Sequence, residues 1–240
     1  MKAILLAAGR GSRMRSLTDD RPKCLVELRG RTLLDWQLSA LRAAGINEIG
    51  IVTGYRAEML QRSDLTIFHN PRWAKTNMVS SLAIASDWLA SDTCIVSYSD
   101  IFYQASAVES LMQSTDALAI TYDPGWQALW QQRFGNPLLD AETFRLNPDG
   151  TLAEIGQKPQ SLDEVEGQYM GLLRFTPAAW ACVVDLRATM SVEDQDTMHM
   201  TGTLSGLLAA GSVPIAAIPY SSEWGEVDSA EDLALYRGAK

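Results

Sequence analysis

Short apolar runs alternate with longer stretches of helical periodicity along most of the chain, and this alternation leaves few folds open. "KAILLAA" (2–8) is short, apolar and ended by glycine, as a buried strand is. "TLLDWQLSALRAAGI" follows with apolar residues at helical spacing and Gly45 placed to stop it. Then come "EIGIVTG" as a second strand, "TIFHN" as a shorter third, "MVSSLAIASDWLA" as a helix, and the strands "TCIVSYSD" and "ALAIT". Strands separated by helical stretches pair in parallel through right-handed crossovers, with helices on both faces. The expected class is α/β: a Rossmann-like, mostly parallel mixed sheet flanked by helices.

The pattern loosens between about 123 and 200, where Pro124, Pro137, Pro148, Pro159 and Pro177 punctuate it. Within that stretch "ETFRLN" and "TLAEIG" read as a hairpin around "PDG", and "QYMGLLRF" as a further strand. Afterwards "TGTLSGLLAAG", "PIAAIP" and "SAEDLALYRG" restore helix, strand and helix. No linker, repeat or low-complexity tract divides the chain. Its 240 residues, 47% of them hydrophobic, suffice for one continuous core, so a single domain over 1–240 is expected.

Charge is distributed unevenly. The formal net charge is −9 and the pI near 4.7, which argues against a general nucleic-acid footprint. Residues 10 to 31 nevertheless hold seven basic side chains (Arg10, Arg13, Arg15, Arg21, Lys23, Arg29, Arg31) against three acidic ones (Asp19, Asp20, Glu27). Cys24, Cys94 and Cys182 contain no C-x-x-C pair, and His69 and His199 lie far apart, so neither a disulfide framework nor a zinc site is indicated. A reduced cytoplasm fits this usage. The opening "MKAILLAAG" is too short for a signal peptide and is cut off by Arg10, and no stretch has the length to cross a bilayer.

The basic cluster surrounds a glycine loop at the end of the first strand. In an open parallel sheet that turn lies at the carboxyl edge, where ligands bind. Gly9 and Gly11 let backbone N–H groups approach an anion, and Arg13 with Lys23 supply neutralising charge, so the loop reads as a phosphate cradle. It is neither a dinucleotide loop, because Met14 stands where a third glycine is needed, nor a P-loop, because G-x-x-x-x-G-K-[ST] is absent.

Leu6, Ala7, Ala8, Gly9, Gly11 and Arg13, followed by Pro22 and Lys23, form the pattern L-A-A-G-x-G-x-R…P-K. With it the chain resembles the nucleoside-triphosphate transferases, which join an NTP to a phosphorylated small molecule. Asp100 ending "IVSYSD" and the late "GEVDSAEDL" extend the resemblance. "KTNMVSSL", "WQALWQQRFGNPLLDAETF", "EVEGQYMGL" and "WGEVD" are similar to the cytidylyltransferase branch that takes phosphocholine, phosphoglutamine or aminoalkylphosphonates.

The resemblance implies the nucleotide-diphospho-sugar transferase fold, with 1–122 mainly binding nucleotide, 123–200 mainly the acceptor, and 201–240 completing the sheet and metal site. It implies Mg²⁺ held by Asp100 and Asp228, with Glu226 in reserve, because hard carboxylate oxygens suit that ion. Lys23 and Arg13 become the catalytic cations. Leu6, Ala7, Ala8, Gly9, Gly11, Ser12, Asn77, Ser81 and Ser99 become nucleotide contacts. Asn77 and Ser81 share a helical face, although a helix cap at Asn77 and a plain surface serine are equally good readings. Relatives that take UTP or dTTP often carry glutamine at the site of Ser81, which tilts the base toward cytosine.

Acceptor contacts are expected from Lys158, Trp126, Trp130, Arg133, Glu166, Gln168, Tyr169 and Gly171. Trp126 and Trp130 at i, i+4 read as a core stripe or as an aromatic face for a cationic head group. "MHMT" around His199 resembles a segment that closes the acceptor pocket. The partners implied are CTP and a small phosphate or phosphonate, with no membrane or nucleic acid, and a homodimer is left open. Two rival readings stand: a sugar-1-phosphate uridylyl- or thymidylyltransferase, and a nucleotide-binding regulatory protein without turnover, against which the retention of Arg13, Lys23, Asp100 and Asp228 together argues.

Overall fold

The computed structural model describes residues 1–238. The first half runs β1 (Lys2–Ala7), β2 (Glu27–Leu28), β3 (Arg31–Thr32), α1 (Leu33–Ala43), β4 (Ile49–Thr53), β5 (Thr66–His69), α2 (Met78–Leu82) and α3 (Ser86–Ser91). It continues through β6 (Cys94–Tyr98), β7 (Ile101–Tyr103), α4 (Ala105–Gln113) and β8 (Leu118–Asp123). The second half adds α5 (Trp126–Phe134), β9 (Phe144–Leu146), β10 (Leu152–Ile155), β11 (Gln168–Phe175), α6 (Pro177–Ala188) and α7 (Val192–Thr197). It ends with α8 (Met200–Ala209), β12 (Ile215–Pro219), β13 (Trp224–Glu226) and α9 (Ala230–Gly238).

Seven strands form one sheet in the order β12-β8-β11-β6-β1-β4-β5. β1 lies between β4 and β6 and is parallel to both. Its Ile4 and Leu5 are wholly buried, which is why the run tolerates no polar residue. The sheet is mixed because β11 enters antiparallel between β6 and β8. β9 and β10 pair antiparallel, the hairpin expected around "PDG". Thr32 caps α1 by accepting from the Asp35 amide at 3.0 Å, and Gly45 follows the helix with φ +89°, the conformation that ends helices and suits glycine.

α6 and α7 form where the sequence suggested only irregular chain. Pro177 occupies the first turn of α6, a position that needs no N–H donor, and Thr176 caps it.

Two three-residue strands, β7 and β13, pair antiparallel beside the main sheet, with Glu226 opposite Ile101. The Val227 amide then donates to Asp100 O at 2.9 Å, so the turn after β6 and the turn after β13 are stitched side by side. This small ribbon sets the position of the site.

Candidate active site

The glycine loop leaves β1 at the carboxyl edge of the sheet and turns through Gly11, whose φ is +68°. A Cβ on Gly11 would meet Lys23 Cβ and Cδ at 3.0 Å, so this glycine makes room for the lysine stem to pass under the loop. The loop opens on a cavity of about 270 Å³. Leu6, Ala8, Gly9, Gly11, Ser12 and Ser99 are on its wall. Asn77 and Ser81 are there too, with Trp73 and Thr76, which the sequence did not single out. Ala7 is on the other side of the backbone and packs in the core, away from the cavity.

A second cavity of about 200 Å³ adjoins the first, and Arg13, Met78 and Tyr98 line both. Gln168, Tyr169, Gly171 and His199 contribute to its wall, and so do Asp140, Glu142 and Trp224, unassigned by the sequence. Gly171 has φ +78°, and a Cβ there would lie 2.7 Å from the Tyr98 ring.

Four of the other expected acceptor residues are placed elsewhere. Trp126 and Trp130 belong to the core: Trp126 Nε1 donates to Val165 O at 3.2 Å, and Trp130 stacks on Trp224 at 6.2 Å between ring centroids. Their i, i+4 spacing is the inner stripe of α5, so neither offers a face to a head group. Lys158 lies on the surface and donates to the carbonyls of Leu138 and Leu139. Glu166 accepts from the Leu146 amide at 2.7 Å, bracing the hairpin edge.

Arg133 is the fifth correction. Its side chain is 0% exposed and meets Asp232 at 2.8 Å and Glu226 at 3.1 Å. It also lies 3.6 Å from Asp228. Burial works against its charge, but Asp232 and Glu226 more than offset that and hold the guanidinium firmly protonated. Asp232 in turn accepts from the amides of Asp228 at 2.9 Å and Ser229 at 3.0 Å. Arg133 thus anchors the segment that carries the acidic cluster rather than contacting an acceptor.

That cluster stands at the junction of the two cavities. Carboxylate oxygens of Asp100, Glu226 and Asp228 all lie within 4.8 Å of one another. Lys23 Nζ donates to Asp100 Oδ2 at 2.7 Å and also to Asp228 Oδ1. Arg13 reaches Asp228 Oδ1 at 2.9 Å. Lys23 is no exposed loop lysine: its side chain is 8% exposed. Burial opposes its charge, yet Asp100 and Asp228 outweigh that and raise its pKa. Burial likewise pushes Asp228 up, and Lys23 overcomes it to hold the carboxyl below the usual range. Glu226 goes the other way: burial, with Asp228 and Asp100 beside it, pushes it up to about 8 against Arg133 and Lys23.

Asp100 Oδ1 and Asp228 Oδ2 are buried without a hydrogen-bond partner. Carboxylate oxygens left unsatisfied in a triad of which Asp228 is buried and Asp100 and Glu226 are half-buried form a donor set suited to a hard divalent cation. The glycine loop, the buried Lys23, the exposed Arg13 and the carboxylate triad thus meet between the two cavities. The chain belongs to the MobA-like NTP transferase domain family, whose model matches residues 3–157. Over 251 aligned residues it is 36% identical to a CTP:phosphoglutamine cytidylyltransferase of Campylobacter jejuni, covering 98% of both chains. A choline-phosphate cytidylyltransferase of Streptococcus pneumoniae is 35% identical over 99 residues, 40% of this chain and 43% of that one. The inositol-1-phosphate CTP transferase of T. maritima shares the fold with a TM-score of 0.78 at 20% identity, over 98% of this chain and 93% of that one. The protein is a nucleotidyltransferase.

Proposed function

We propose that the protein transfers CMP from CTP to a small phosphorylated or phosphonylated acceptor bearing an amine, amide or quaternary head group, with release of pyrophosphate. The observation that carries this reading is the placement of Arg13, Lys23 and the carboxylate triad where the loop-side cavity meets the second one. Similarity over 98% of both chains to a CTP:phosphoglutamine cytidylyltransferase supports both the base and the acceptor class.

An oxygen of the acceptor phosphate attacks the α-phosphorus of CTP in line, the bond to the β-phosphate oxygen breaks, and pyrophosphate leaves. The product is CDP-linked from a phosphate and CMP-linked from a phosphonate. The attacking oxygen is already anionic at neutral pH, so no protein nucleophile is needed, and catalysis is positioning and charge stabilisation. Backbone N–H groups around Gly9 and Gly11 cradle the nucleotide phosphates. Lys23 brings the attacking phosphate and the α-phosphate together, and Arg13, which faces both cavities, grips the departing pyrophosphate. Asp100 and Asp228, with Glu226, would hold Mg²⁺, which orients the α-phosphate and offsets charge as it develops.

The test crosses CTP, UTP, dTTP, ATP and GTP with small phosphates and phosphonates and reads pyrophosphate release. CTP should give the highest kcat/KM. Preference for UTP or dTTP would favour the sugar-nucleotide reading, and nucleotide binding without turnover the regulatory one.

A further inference from the structure

Besides Arg13, Met78 and Tyr98, which line both cavities, one short run of chain links their walls. Asn77 lines the nucleotide side, whereas His199, Met200 and Thr201 line the acceptor side. Between them the segment 195–199, from the end of α7 to the start of α8, is tied to the start of α2. The Asn77 amide donates to Asp196 O at 2.6 Å. Ser80 Oγ donates to Gln195 O at 2.8 Å. Arg187 spans both partners, donating to Gln195 O and to Ser80 Oγ at 3.1 Å each. Arg72 pairs with Asp196 on the outer side.

The Asn77 side chain is spent in this junction. Its Oδ1 caps α2 by accepting from the Met78 amide at 2.7 Å. Its Nδ2 lies 3.1 Å from the His199 ring nitrogens and 3.3 Å from Thr197 O. Ser81, the other residue expected to reach the base, is likewise engaged and accepts from Asn70 Nδ2 at 3.0 Å.

We infer that Asn77 is a positioning residue for the acceptor, a latch that holds the strap 195–199 and its His199 against the start of α2. A nucleotide that orders α2 thereby orders the acceptor wall, and the two substrates bind with positive, reciprocal coupling. The kinetic part of this inference rests on the cytidylyl-transfer reading, but the latch itself does not.

Asn77→Ser keeps an oxygen to cap α2 and removes the Nδ2 donor. In the substrate-free variant, amide hydrogen exchange across 195–199 should quicken relative to the parent; unchanged exchange overturns the latch. With CTP and the best acceptor from the panel, the acceptor KM should rise roughly threefold to tenfold, the worth of one net hydrogen bond, while the CTP Kd measured without acceptor stays at the parent value. Combining Asn77→Ser with His199→Ala should cost less than the product of the single effects, because both cut the same contact. A raised CTP Kd with an unchanged acceptor KM would make Asn77 a nucleotide ligand instead, and multiplicative effects in the double variant would also overturn the proposal. If the parent turns over no substrate pair, the cytidylyl reading fails, and the exchange measurement still decides the latch.

Discussion

Replacing Lys23 by methionine should do more than stop turnover. It should destabilise the protein in a way that depends on pH and on divalent cation. In the parent, Lys23 neutralises Asp100 and Asp228 from a site where it is itself almost fully enclosed. Methionine preserves the stem that passes under Gly11 and deletes only the charge. Arg13 still reaches Asp228, but the acidic cluster is left with one cation too few and cannot leave the site, so the variant's cheapest relief is to protonate one carboxylate. At pH 7 that costs about 4 kcal/mol for a carboxyl of ordinary pKa, which caps the loss. The cap lies within the ~3–5 kcal/mol usual for breaking a buried ion pair. For a chain of this size it lowers Tm by about 10 °C.

The pH dependence has a definite sign. In the parent, Lys23 holds the folded-state pKa of Asp228 below its unfolded value, so its stabilisation is fully present at both pH 7 and pH 5; in the variant a carboxyl must instead take up a proton on folding, a penalty that grows as pH rises above the unfolded carboxylate pKa and shrinks as pH falls toward it. At pH 5 protonation costs only about 1.5 kcal/mol, and the Tm gap should shrink to about 4 °C. Calorimetry of parent and variant in chelator at the two pH values measures this, and Mg²⁺ should raise the variant's Tm more than the parent's. A gap equal at both pH values, or none, would refute the reasoning.

Three other outcomes follow from the same geometry. Asp100→Asn and Asp228→Asn should each cost at least ~100-fold in turnover, and the double variant should lose far less than the product, since both are proposed to hold one ion; initial rates across a Mg²⁺ titration check this. Trp126→Ala should lower stability by about 3–5 kcal/mol as a core cavity does, with denaturant melts showing the loss and no selective penalty for amine-bearing acceptors. Iodoacetamide on native protein, followed by peptide mass mapping, should label Cys182 first, because Cys24 and Cys94 are buried and their thiols are pushed up to about 12.

The central strands were legible because a strand covered on both faces must be short and apolar, as "KAILLAA" and "TCIVSYSD" are. The antiparallel entry of β11 was not, since alternation with helices carries no sign of a strand inserted later between β6 and β8. α6 escaped notice because Pro177 reads as punctuation, although a first-turn proline is compatible with a helix. The glycine loop was legible because Gly9, Gly11, Arg13 and Lys23 lie close together in the sequence. The meeting of Asp100 with Glu226 and Asp228 depends on a three-residue ribbon, too short for any periodicity to register.

Arg133 was misread for a related reason. Its spacing on α5 fits a ligand contact, but its partner Asp232 comes from 99 residues further along the chain, and no local pattern reports that pairing. Trp126 and Trp130 carried both readings at once, and burial decided for the core. Asn77 and Ser81, expected to contact nucleotide, line the loop-side cavity, but their polar atoms are engaged by the strap and by Asn70, partners that only the folded chain brings within reach.

The choice of acceptor decides whether CMP passes from CTP to a small compound with a polar head group, as proposed. The direct measurement is kcat/KM with CTP for phosphoglutamine, phosphocholine, phosphoethanolamine, 2-aminoethylphosphonate and glucose 1-phosphate, with products identified by mass. One of the first four should exceed glucose 1-phosphate by about tenfold or more, because a hexose needs many hydroxyl partners and leaving them unpaired is costly in a closed site. Glucose 1-phosphate preferred by a similar margin would contradict the proposal.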